Sequence, residues 1–162
     1  MTALYPGTFD PITLGHLNIL EKAAKSFDKV ILGVADYTGK KNYFSLQERF
    51  ELCQTAASHI PNVHVMKFSG MAVDFAREHD CRIMIRGLRA VSDFEYELSL
   101  ALTNKKLNKD IETIFLVPSL KYMYLSSSTI RQLAELGGDL HDLVPPRVAD
   151  ALKRLNRKST DG

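Results

Sequence analysis

The chain has 162 residues, 45% hydrophobic and 25% charged, with 21 basic against 19 acidic residues and a formal net charge of +2. That length and apolar content suit one globular domain with a substantial core, and the interspersed charges argue against a nucleic-acid groove or an anionic membrane surface as partner. With no apolar run long enough to cross a bilayer and no charged-apolar-small leader at Met1, a cytoplasmic protein is expected; Cys53 and Cys81 have neither metal-ligand nor redox spacing and read as small buried hydrophobes.

In chain order, a short apolar strand at Ala3 to Tyr5 runs into Tyr5-Pro6-Gly7-Thr8-Phe9-Asp10-Pro11-Ile12-Thr13-Leu14-Gly15-His16. Leu14, Leu17, Leu20, Ala24 and Phe27 then recur at helical spacing, which predicts a helix from Gly15 to Phe27. A loop that opens a helix presents unpaired N–H groups and the positive end of the macrodipole, the chemistry of a phosphate site. Gly7 is expected to allow a tight turn, Gly15 to allow close ligand approach, and Thr8 and Thr13 to add hydroxyl donors. His16 falls in the first turn, where a ring N–H reaches a bound oxygen.

A second strand spans Val30 to Ala35, and the Gly-containing connection after it carries Lys40-Lys41. Ser45 and Glu48 form a capping-box pattern before a helix from Leu46 to His59. A strand at Val63 to Phe68 and a helix at Ala72 to His79 follow. The fourth strand, Arg82 to Ile85, ends on Arg86-Gly87-Leu88-Arg89, whose guanidinium forks suit phosphate oxygens although such a cluster can equally be solvated surface. The acidic turn Asp93-Phe94-Glu95-Tyr96-Glu97 opens a helix to Leu107, and only Glu97 there invites a ligand role, to a ribose or base.

The fifth strand is Thr113 to Val117. Tyr122-Met123-Tyr124-Leu125-Ser126-Ser127-Ser128-Thr129-Ile130-Arg131 leads into a helix from Ser127 to Leu136, stopped by Gly137-Gly138. One of these serines suffices as a cap, and three offer hydroxyls and N–H groups for a second anion site. Pro145-Pro146 introduces a last helix, and Arg157 to Gly162 reads as a mobile tail after a domain of residues 1–156. Strand-helix alternation predicts an α/β fold: a single-domain, Rossmann-like, doubly wound sheet of five parallel strands with flanking helices, binding ligands beyond the strands' carboxyl ends.

Together these residues resemble the bacterial phosphopantetheine adenylyltransferases over the full length. The opening Thr13-Leu14-Gly15-His16 matches a T/H-x-G-H pattern shared, like Ser126-Ser127-Ser128, by nucleotidyltransferases generally. The run Arg86 to Glu97, with Ala101 and Asn104, resembles this family in particular. The resemblance implies transfer of AMP from ATP to 4′-phosphopantetheine, giving dephospho-coenzyme A and pyrophosphate.

It also implies roles for individual residues. His16 would be the catalytic group on the ATP α-phosphate, and Thr8 and Phe9 would border both substrates. Lys40, Ala72 and Arg86 would bind phosphopantetheine. Gly87, Leu88, Arg89, Glu97, Tyr122, Met123, Tyr124, Leu125, Ser126, Ser127 and Ser128 would line the ATP site. Magnesium is expected to arrive with ATP rather than in a protein metal site. A homohexamer with feedback binding of coenzyme A is likewise implied, with neither nucleic acid nor membrane as partner. Two alternatives stay open on the residues alone: a nucleotidyltransferase acting on nicotinamide mononucleotide or a sugar or polyol phosphate, and a non-catalytic nucleotide or coenzyme A sensor.

Overall fold

A computed structural model of the chain describes residues 1–89 and 91–161. Five strands, β1 Thr2–Gly7, β2 Lys29–Ala35, β3 Val63–Phe68, β4 Ile83–Gly87 and β5 Glu112–Leu116, form one parallel sheet in the order β3-β2-β1-β4-β5. The helices are α1 Leu14–Ser26, α2 Leu46–Ala57, α3 Ala72–Glu78, α4 Val91–Leu107, α5 Ser127–Glu135 and α6 Pro146–Thr160. This is the expected single α/β domain. Among the described residues no helix is long and apolar enough to cross a membrane.

Side chains alternate across the strands, so the sheet feeds two cores. Ala3, Tyr5, Val30, Leu32, Val34 and Ile85 face a large cluster completed by α1, α2, α5 and α6 through Ile19, Leu20, Cys53, Ala56, Ile130, Val148 and Leu152. Leu4, Ile31 and Met84 point to the other face, where α3 contributes Val73, Phe75 and Ala76. Both cysteines are buried and free, as their spacing predicts.

Beside shifts of one or two residues at other element ends, three differences from the sequence reading bear on the site or on the last helix. Strand β4 runs on to Gly87, because Arg86 and Gly87 pair with Phe115 and Leu116 of β5; Arg86 is therefore a strand residue. Helix α4 begins two residues early, at Val91. Helix α6 continues to Thr160, through most of the stretch expected to be a mobile tail, while Gly162 lies outside the described residues. The turn after α5 is a Schellman cap: Gly137 has φ +72°, and the Gly138 and Gly137 amides bond the carbonyls of Leu133 and Ala134.

Candidate active site

Strands β1 and β4 are neighbours, yet one leads outward through β2 and β3 and the other through β5, so the chain reverses direction between them. Connections leaving the carboxyl ends at such a switch point diverge and open a crevice. A cavity of about 360 Å³ lies there, walled by the 5–10 segment, the starts of α1 and α5, and the ends of β4 and the Lys40 connection.

The α1 end is built by local hydrogen bonds. Thr13 is the N-cap: its Oγ1 accepts the His16 amide at 3.3 Å, and its own N–H donates to His16 Nδ1 at 3.0 Å. Because Nδ1 accepts, the ring proton sits on Nε2, the nitrogen left for a ligand. Burial pushes the His16 pKa down to about 4, with the Arg89 and Arg86 charges adding to the effect, so the ring is neutral at pH 7. Of the first-turn amides, Leu14 N–H is taken by the Leu143 carbonyl at 3.0 Å and His16 N–H by Thr13, which leaves Gly15 N–H for an anion. One amide thus remains where the sequence suggested a full set.

Gly7 has a use other than the tight turn expected of it. Gly7 ends β1 without a positive φ, and a Cβ there would lie 2.9 Å from Phe9 Cζ, so its bareness admits the Phe9 ring. Phe9 itself takes the left-handed conformation, φ +49°, and meets Tyr5 and His16 edge-on at 5.3 and 5.2 Å. A bulky residue there carries local strain of about 1–3 kcal/mol, which this packing offsets. A Cβ on Gly15 would make ordinary contacts of 3.4–3.7 Å with Thr13, Tyr122 and Leu125, so the protein itself leaves room for one.

Charge around the cavity is positive and mostly held in place. Lys40, Arg86, Arg89 and Arg131 line it, against Asp10, Asp93 and Glu97. Arg86 forms a two-pronged bond with Glu97, at 2.7 and 2.8 Å, and donates to the Pro6 carbonyl at 3.0 Å. Arg86 and Glu97, expected to serve different substrates, are thus one unit. Arg89 bonds Asp93 at 3.1 Å and the Leu125 carbonyl at 2.6 Å. Asp10 accepts the amides of Tyr43 and Phe44 at 2.7 and 2.9 Å. Lys40 is exposed on its connection and reaches the cavity rim.

Helix α5 supplies the second end. Ser126 caps it by accepting the Thr129 amide; Ser127 Oγ donates to the Pro11 carbonyl at 2.9 Å; Ser128 Oγ accepts from Arg131 at 3.3 Å. The Ser126 and Ser127 hydroxyl protons are thus taken by the fold, whereas Ser128 Oγ, an acceptor here, keeps its O–H to donate. Beside it stand the backbone amides of Ser127 and Ser128, in the first two helical positions where no intrahelical acceptor exists. Both helix ends border the one cavity.

The structure brings Thr8, Phe9, His16, Lys40, Arg86, Gly87, Arg89, Glu97, Leu125, Ser126, Ser127 and Ser128 to that wall. Leu88, Tyr122, Met123 and Tyr124 are not on it, and Tyr124 is largely exposed. Ala72 packs against the second core cluster instead. Sequence reading gave no role to Asp10, Asp93 or Arg131, which line the cavity, nor to Arg49 behind it. Arg49 did carry a cue: it interrupts the apolar stripe Leu46, Cys53, Ala56 and Ala57 on the buried face of α2.

A family model for cytidylyltransferase-like proteins matches residues 4–133. Proteins named phosphopantetheine adenylyltransferase are similar over nearly the whole length. The one from Moorella thermoacetica is 55% identical over 150 residues, covering 93% of this chain and 94% of its own. Those from Nautilia profundicola and Clostridium tetani are 51% and 50% identical, covering 90% and 96% of this chain and 95% and 98% of theirs. A crystal structure from Vibrio parahaemolyticus, described as a candidate nicotinate-nucleotide adenylyltransferase, superposes with a TM-score of 0.72 at 17% identity, covering 96% of this chain and 94% of that one. At that identity the likeness concerns the fold.

Proposed function

We infer how the site works from the premise that this chain belongs to the phosphopantetheine adenylyltransferase family of cytidylyltransferase-like proteins. It is a nucleotidyltransferase of coenzyme A biosynthesis, transferring AMP from ATP to 4′-phosphopantetheine. The acceptor phosphate oxygen forms a new bond to the ATP α-phosphorus in line; the bond to the β-phosphate oxygen breaks, and pyrophosphate leaves with the electron pair. An ionised phosphate needs no base to attack, so the protein's task is positioning and stabilisation of charge on phosphate oxygens.

The observation that carries this reading is a neutral His16 whose Nδ1 is occupied and whose Nε2–H has no partner among the described residues, beside two helix amino ends on one cavity. His16 Nε2–H donates to a non-bridging α-phosphate oxygen as charge builds. Gly15, Ser127 and Ser128 amides, with Arg89 and Arg131, hold the triphosphate. Lys40 and Arg86 hold the acceptor phosphate, and Thr8 and Phe9 stand between the substrates.

The cavity carboxylates Asp10, Asp93 and Glu97 already have partners, which fits a magnesium ion carried by the phosphates and waters rather than by a protein cage. When bound, that ion neutralises charge on the departing pyrophosphate. A cytoplasmic location and coenzyme A binding as feedback belong to the same reading. So does a homohexamer, which the exposed apolar stripe Phe94, Leu98 and Leu102 on α4 supports.

The test is pyrophosphate release from ATP and magnesium with 4′-phosphopantetheine, beside nicotinamide mononucleotide and polyol phosphates as acceptors. Turnover with 4′-phosphopantetheine alone is expected; faster release with another acceptor, or none with any, would refute the assignment.

A further inference from the structure

The connection over residues 36–44 carries Lys40 and has no regular structure; Thr38 bonds the Lys40 carbonyl and Asn42 within it, and it is anchored to the rest of the protein at its ends. One side chain holds both. Arg49, on α2, is 1% exposed, and its acceptors are main-chain carbonyls: Nη1 donates to Ala35 O at 2.7 Å and to Thr8 O at 2.8 Å, and Nε donates to Phe44 O at 3.2 Å. Ala35 is the last residue of β2, where the connection departs, and Phe44 is where it returns. Thr8 belongs to the other wall of the cavity. Asp10 secures the same return point by accepting the Tyr43 and Phe44 amides.

A buried guanidinium is costly to desolvate unless its donors are matched, and several well-oriented carbonyl dipoles match it. The same three carbonyls could have been left to water or to a neutral donor. Placing one rigid fork among them gives the two walls a common reference point. We propose that Arg49 is a positioning residue for the acceptor-phosphate subsite, fixing the Lys40 connection against the Thr8 loop. Resting on the adenylyl-transfer reading, the proposal narrows it to one half of the cavity. Among the described residues none of the Arg49 contacts involves α5 or Arg89, so the triphosphate half keeps its own supports.

The variants are Arg49→Lys, which keeps the charge on one movable ammonium, and Arg49→Gln, which removes it. Each is checked for fold by circular dichroism, and pyrophosphate release is followed with each substrate varied. For Arg49→Lys the expected result is a KM for 4′-phosphopantetheine raised about tenfold or more, with the KM for ATP changed less than about threefold. In a Lys40→Ala background the Arg49→Lys effect should shrink below about threefold, since the group being positioned is gone. Equal shifts in both KM values, additive effects with Lys40→Ala, or unchanged kinetics would each overturn the proposal. So would failure of both variants to fold, which would make Arg49 a requirement of the core. If the wild-type protein releases no pyrophosphate, the reaction assignment fails, and Arg49 is judged by calorimetric 4′-phosphopantetheine binding. There the same tenfold weakening in Arg49→Lys is expected, and unchanged affinity overturns it.

Discussion

Replacing His16 by alanine should remove a single contact from the reaction. Nδ1 is engaged by the Thr13 amide at 3.0 Å, so only Nε2–H is available to a phosphate oxygen. Loss of one preorganised donor aimed at developing charge costs about 2.7–4 kcal/mol, or about 10²–10³ in rate. The fold loses half of a capping box and the edge contact with Phe9. Together these are worth about 1–2 kcal/mol, a fall in Tm of about 2–8 °C for a chain of this size. The variant therefore stays folded at 25 °C, and the defect belongs in kcat. Steady-state pyrophosphate release should show kcat down at least about a hundredfold and KM for ATP within about threefold of the wild type. A kcat within tenfold of the wild type, or a loss carried wholly by KM, would remove His16 from the transition state.

Three further outcomes follow from the geometry. Lys40→Ala should weaken calorimetric binding of 4′-phosphopantetheine more than that of ATP; the reverse order would exchange the two halves of the cavity. The His16 ring, followed by NMR in the free protein, should titrate near pH 4, well below the ordinary 6.5. Its neutral form contributes stability in full above pH 6.5 and loses it as the pH falls toward 4, by about 1–3 kcal/mol, and a midpoint near 6.5 would contradict the burial and charge effects described above. Thr113 Oγ1 is buried and, among the described residues, has no hydrogen-bonding partner. Thr113→Val should therefore raise Tm by about 1–4 °C by removing an unmatched polar atom, and a lowered Tm would mean that the hydroxyl has a use.

The sheet and both helix amino ends were legible because they depend on short-range signals: alternating apolar runs, the Leu14 to Phe27 stripe, the Ser45–Glu48 capping pattern and the serine run before α5; Thr13, read only as a hydroxyl donor, proved to be the cap of α1. What was misplaced depends on distant neighbours. Strand β4 extends through Arg86 and Gly87 because β5 pairs with them, and nothing local to Arg82–Ile85 encodes that. The Arg86–Glu97 fork joins residues eleven apart across a strand, a loop and a helix, a spacing with no periodic signature. The serine run was read as offering hydroxyls and N–H groups together, and which of them stay available depends on the fold: the Pro11 carbonyl, from the opening loop, takes the Ser127 hydroxyl proton, while Ser128 Oγ only accepts, from Arg131 one turn on in α5. Arg49 was visible as a charge in an apolar stripe, but its three carbonyl partners come from segments that only the fold assembles.

The bond from Leu14 N–H to the carbonyl of Leu143 has a consequence for how far the chain can be shortened. Residue 143 lies in the stretch leading to α6, whose Val148 and Leu152 are fully enclosed by the rest of the protein. Trimming back to the end of α5 would uncover a fresh donor at the mouth of α1 while unplugging the packing beneath it. A minimal version cut there should hold anions indiscriminately and melt early, so the closing helix is a stopper for the nucleotide cradle and not a dispensable extension.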